Sequence, residues 1–161
     1  MSGLIGGAGS KSGIVGETEI DYEEGTWTAT PADAAGNTSA STIEGQYTKV
    51  GRMVSIHFGR SNISSSGLSS TQVFQVRGLP FTARSMASGN EGWVGVAATA
   101  RLPYPADSDG ILVTTPYVMH GQAKIQFWNS QKDSYYDSIL VSQINSGGSD
   151  YQVSITYYTD E

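Results

Sequence analysis

From residue 21 onward, apolar side chains recur at every second position, and this period constrains the fold more than any other feature of the chain. Val54, Ile56 and Phe58 alternate with Met53, Ser55, His57 and Gly59. Tyr151, Val153, Ile155 and Tyr157 alternate with Gln152, Ser154, Thr156 and Tyr158, and Ile125 and Phe127 stand between Lys124, Gln126 and Trp128. Successive side chains of an extended chain point to opposite faces, so each segment has one face to bury and one to leave in water. Two of these segments are rich in Val, Ile, Thr and Tyr, which suit a pleated, half-buried surface. No window carries a convincing helical period.

Turn residues recur at strand-length intervals: Ala35-Gly36-Asn37, Val50-Gly51-Arg52, Ser65-Ser66-Gly67, Ser88-Gly89-Asn90, Ser108-Asp109-Gly110, His120-Gly121 and Ser146-Gly147-Gly148. Two of them read as short hairpin turns, and the 5 prolines are expected at strand borders, where a missing donor is tolerated. Many short strands separated by turns predict an all-β fold, an antiparallel β-sandwich or jelly-roll-like knob over residues 21–161.

Residues 1–20 are a separate compositional zone, in which Gly3, Gly6, Gly7, Gly9, Gly13 and Gly16 interrupt any regular element. Such a segment is either a disordered lead or an extended arm that orders on a partner. The apolar pairs Leu4-Ile5, followed by Gly6-Gly7, and Ile14-Val15 favour the arm and are its anchoring candidates.

At 161 residues the chain fits one domain, but its hydrophobic fraction of 38% and its many Gly and Ser residues leave little apolar surface to bury. Association between copies is the expected supplement. A net charge of −6 is the wrong sign for neutralising phosphates, so nucleic acid is not an expected partner, and anionic membranes are disfavoured for the same reason. Lys49 and Arg52 read as ordinary turn-flanking charges. The absence of cysteine excludes disulfides and thiolate chemistry. No segment has the length of a membrane span, and the first residues lack the pattern of a secretory signal.

Few residues suggest chemistry. Gly7-Ala8-Gly9-Ser10-Lys11-Ser12 lacks the Gly before Lys, and the strand and helix, that a phosphate-binding loop requires. His57 and His120 have no ligand spacing around them. The acids Asp21, Glu23 and Glu24, like Asp133 and Asp137, read as solvated turn residues, and Asp107-Ser108-Asp109-Gly110 lacks the further oxygens of a calcium loop. No nucleophile elbow is present, so no catalytic residue, metal or cofactor is expected and the chain is read as a non-enzyme. Trp27, Trp93 and Trp128 read as core or inter-subunit packing. Tyr104, Tyr135 and Tyr136, lying beside Pro, Asp or Ser in connecting segments, are the contact candidates, together with Asp107 and Asp109.

Four short segments carry a resemblance. Asp21-Tyr22-Glu23-Glu24-Gly25-Thr26-Trp27-Thr28 resembles the opening of a domain common in tailed-phage fibre and appendage proteins. In that family it is followed by segments similar to Gly45-Gln46-Tyr47-Thr48-Lys49-Val50-Gly51, Gly78-Leu79-Pro80-Phe81 and Ser154-Ile155-Thr156-Tyr157-Tyr158-Thr159, in this order. The resemblance implies a β-sandwich-like fibre-tip domain, usually part of a homotrimer, on a virion surface. The expectation is a short virion surface protein, assembled in the host cytoplasm. Residues 1–20 would attach it to other virion proteins, and its loops would meet a host glycan or protein. Capsid decoration without receptor binding is the alternative. Here Thr30-Pro31 stands two residues later than the family's Thr-Pro, and the chain carries no fibrous shaft.

Overall fold

The computed structural model describes residues 21–86, 93–96, 99–100, 111–131, 137–144 and 146–161. Their strands are β1 (Tyr22–Asp33), β2 (Ile43–Val50), β3 (Met53–Arg60), β4 (Phe74–Arg77), β5 (Trp93–Val96), β6 (Thr99–Ala100), β7 (Ile111–Met119), β8 (Lys124–Gln131), β9 (Asp137–Ser138) and β10 (Tyr151–Tyr158). Among the described residues the only helical element is a 3-10 turn at Val141–Gln143. The expectation of an all-β, antiparallel fold is borne out, since every strand pairing among the described residues is antiparallel.

The strands follow one path, β5-β7-β8-β4-β1-β2-β3-β10-β6, with β9 beside β8. β1 belongs to both halves of that path. Its positions 22–29 pair with β2, and its positions 30–33 pair with β4. The sheet curls until β5 and β7 at one end approach β10 and β6 at the other, giving a nearly closed, barrel-like wall. Trp27, Val54, Ile56, Phe58, Phe74, Val76, Ile125, Phe127, Val153 and Ile155 fill the interior. These are the inward positions that the period of two selects.

Two prolines lie inside strands rather than at their borders. Pro31 stands where β1 changes partner, and its carbonyl accepts the Ser39 N–H at 2.8 Å. Pro116 lies one residue beyond Val96↔Tyr117, the last β5–β7 pair among the described residues, and on its other side it stands opposite Phe127 of β8.

The chain leaves β1 through a turn organised by Asp33, which is fully buried. Burial opposes its charge. The Ser69 N–H, the Asn37 side-chain amide and the backbone N–H groups of Asn37 and Gly36 outweigh that penalty and hold its carboxyl below the ordinary aspartate value. The β2–β3 connection is a two-residue turn, Gly51-Arg52, with Val50 opposite Met53. It is fixed from both sides: the Gly51 N–H donates to the Asp21 carbonyl at 2.7 Å, and the Thr159 N–H to the Arg52 carbonyl at 2.9 Å.

Candidate functional site

Tyr104, Asp107, Asp109, Tyr135 and Tyr136, like the anchoring candidates Leu4, Ile5, Gly6, Gly7, Ile14 and Val15, lie outside the described residues. His57 is exposed on β3, and His120 sits at the β7–β8 turn. Among the described residues no three His, Cys, Asp or Glu side chains are placed to hold a metal ion. No helix there is long and apolar enough to cross a membrane.

The four segments singled out in the sequence meet at one corner of the sheet. Register sets Glu23 opposite Lys49, Lys49 opposite Val54, and Val54 opposite Tyr157, all on the inward face. Phe81, from the loop after β4, closes the corner. Its ring meets Tyr47 edge-on at 5.4 Å, and its carbonyl accepts the Tyr157 hydroxyl at 2.9 Å. Burial raises the Tyr157 hydroxyl well above the ordinary tyrosine value, although that hydrogen bond opposes the shift. On the same inward face, Gly45 leaves room for the Trp27 indole, which a Cβ at that position would overlap.

Lys49 is therefore not a solvated turn-flanking charge. Its side chain is 5% exposed, its ammonium pairs with the Asp21 carboxylate, and it stands 5.5 Å from the centre of the Phe81 ring. The neighbouring acids are also engaged: the Tyr47 hydroxyl donates to Glu23, and the Tyr22 hydroxyl donates to Glu24 at 2.7 Å. They are strand residues, not members of a solvated turn, because β1 begins at Tyr22.

The Lys49–Asp21 pair is lopsided, and the two single substitutions should differ. Asp21 is 62% exposed, so removing Lys49 strands no buried charge. Lys49→Met should stay within about 1 kcal/mol of the parent in urea titrations, because an apolar side chain of similar length replaces a desolvated cation. Asp21→Asn leaves the buried ammonium without its counter-charge, with at most an amide oxygen and an aromatic face, and should cost about 1–3 kcal/mol after allowance for the exposure of the carboxylate. Equal losses for the two variants would contradict this arrangement.

Two further sheet faces stand out among the described residues. On β1, β2, β3 and β10 the residues facing water form rows across the strands. The row nearest the start of β1 is Tyr22, Val50, Met53 and Tyr158, paired in that order, and all four are exposed. The adjoining rows are polar, running Glu24, Thr48, Ser55, Thr156 and then Thr26, Gln46, His57, Ser154. Ser55 and Thr156 join their hydroxyls across the strands at 3.3 Å.

The second surface lies on β4, β8 and β7. Register sets Arg77 opposite Lys124, Gln75 opposite Gln126, Tyr117 opposite Gln126 and Thr115 opposite Trp128. Because Val76, Ile125 and Phe127 point into the core, this set faces the other way, yet Gln75 and Tyr117 are buried there and the rest are half-buried. Trp27 is core, as expected, whereas Trp128 is half-buried on this surface and stacks on Tyr117 at 4.1 Å. Neither surface is marked by a motif. Each could have been found only by combining strand phase with the pairing partners.

No protein-family model, no curated protein and no solved structure matches the chain.

Proposed function

We propose that this chain is a bacteriophage virion surface protein, a fibre tip or spike, that binds the host surface as a symmetric homotrimer. Its action is contact rather than catalysis, with several weak sites engaged at once. The observation that carries the reading is the convergence of the four fibre-like segments on one corner, where Asp21, Tyr47, Lys49, Phe81 and Tyr157 pack on or bond to one another. A resemblance carried by all four segments expects them to pack together, and the contacts at this corner support the reading in that respect. In this reading residues 1–20 join the domain to other virion proteins, and the copies meet along the apolar row of Tyr22, Val50, Met53 and Tyr158.

The test is adsorption of particles carrying the full chain with Tyr104→Ala, Tyr135→Ala and Tyr136→Ala together. Adsorption to host cells should fall by about tenfold or more, because a modest loss per site is multiplied over the copies engaged. The melting temperature should not change. Unchanged adsorption would move the chain to capsid decoration. Light scattering on the purified chain should give the mass of three copies, and Met53→Asp should lower that mass without unfolding the domain. A monomeric parent chain would overturn the trimer.

A further inference from the structure

We infer that the exposed row of Tyr22, Val50, Met53 and Tyr158 is covered by the Ile14-Val15 pair of a neighbouring copy, so that each copy straps itself to the next. The inference rests on the reading that copies meet along this row, and it names the segment that makes the contact.

The first ground is the row itself. Tyr22 pairs with Val50, Val50 with Met53 and Met53 with Tyr158, so four outward side chains cross four adjacent strands in one line. Each is exposed, from 39% at Val50 to 59% at Tyr22. Among the described residues the only other exposed large apolar side chain is Met86, so the exposure is concentrated in one place. Three strand spacings make the line roughly 14 Å long.

The second ground is where residues 1–20 join the domain. Asp21 directly precedes the first residue of the row and is pinned twice. Its carbonyl accepts the Gly51 N–H at 2.7 Å, and its carboxylate takes the Lys49 ammonium. The segment before it therefore starts from a fixed point at one edge of the row. Of the two apolar pairs in that segment, Ile14-Val15 is the nearer. Val15 stands six residues before Asp21, a reach of roughly 20 Å when extended, which exceeds the length of the row. Gly13 and Gly16 flank the pair, so the backbone can turn to present both side chains to one surface.

The third ground assigns the contact to a neighbour. β1 runs from Tyr22 away from this end of the sheet, so its line carried back through Asp21 leads off the sheet and away from its own row. Covering that row would require a reversal within residues 16–20, and would bring Glu17 and Glu19 back towards Glu24 in the adjoining row. Like charges so placed oppose one another. A neighbour's row needs no reversal. About a rotation axis every arm passes to the next copy in the same sense, so the ring closes with each row covered.

The chain has no cysteine, so introduced thiols report this contact without background. Full-length Val15→Cys and Met53→Cys chains, co-expressed and oxidised, should give a disulfide-linked dimer on a non-reducing gel, at least fivefold more than either variant alone. Ile14→Asp with Val15→Asp should lower the light-scattering mass from three copies to one while circular dichroism remains that of a β protein. A link formed only within a chain carrying both Val15→Cys and Met53→Cys would put the arm on its own row. Self-linked Met53→Cys would put row against row, and either result overturns the inference. So does a mass of three copies that survives Ile14→Asp with Val15→Asp. A parent chain with the mass of one copy sinks the trimer reading itself, whereas the other adverse results leave it standing.

Discussion

Phe74→Ala is expected to lower the free energy of unfolding by about 3–5 kcal/mol, the range for emptying a buried aromatic position. Phe74 is fully buried at the start of β4, stacked on Tyr151 of β10 at 5.3 Å and tilted against Phe127 of β8 at 5.7 Å. Tyr151 and Phe127 also meet, at 5.5 Å. β4 and β8 belong to one half of the sheet and β10 to the other, so these three rings join the halves across the core. Removing the central ring forfeits its burial and both aromatic contacts, and neighbours fixed to hydrogen-bonded strands cannot close the gap. Urea denaturation followed by Trp fluorescence should show a markedly lower midpoint. Phe74→Leu, which retains most of the volume, should recover about half of the loss. A loss below about 1 kcal/mol for Phe74→Ala would mean that the halves are held together elsewhere.

Gly78→Ala should be the second most damaging change, at about 2–4 kcal/mol. Gly78 has φ +94°, and a Cβ there would overlap the Thr28 carbonyl oxygen. That oxygen belongs to the backbone of β1, so no rotamer change relieves the overlap. Gly51 is the internal control. It has φ +56° with nothing within 4 Å of the added atom, so Gly51→Ala should cost only about 1 kcal/mol. Thermal melts of the two variants measured side by side separate steric overlap from backbone preference. Equal losses would remove the role given to the Thr28 carbonyl.

Strand identity and facing were legible because they depend only on local alternation. The inward set Val54, Ile56, Phe58 and the inward set Tyr151, Val153, Ile155, Tyr157 are the ones that the period of two selects. The passage of β1 from one half to the other was not legible, since it depends on which distant strands lie beside it. Pro31 alone hinted that a ladder is interrupted there. The burial of Lys49 could have been read: Ile43, Gly45, Tyr47 and Lys49 share one strand phase, and that phase is the inward one. Charge alone argued for the surface, and the Asp21 carboxylate that reverses the argument comes from another strand end. Arg77 and Lys124 are separated by a long stretch of chain, and only the short β4 ladder brings them together. Such pairings are long-range, and composition does not carry them.

The two-sided pairing of β1 also has a mechanical consequence. Residue 21 is the point at which any load carried by residues 1–20 would enter the domain. β1 starts at the next residue and is bonded first to β2 and then to β4 along its whole length. Tension applied there runs along the strand and meets both ladders in shear, so many hydrogen bonds must yield together instead of opening one at a time. The end of the domain at residue 21 is thus the end at which it resists being pulled apart.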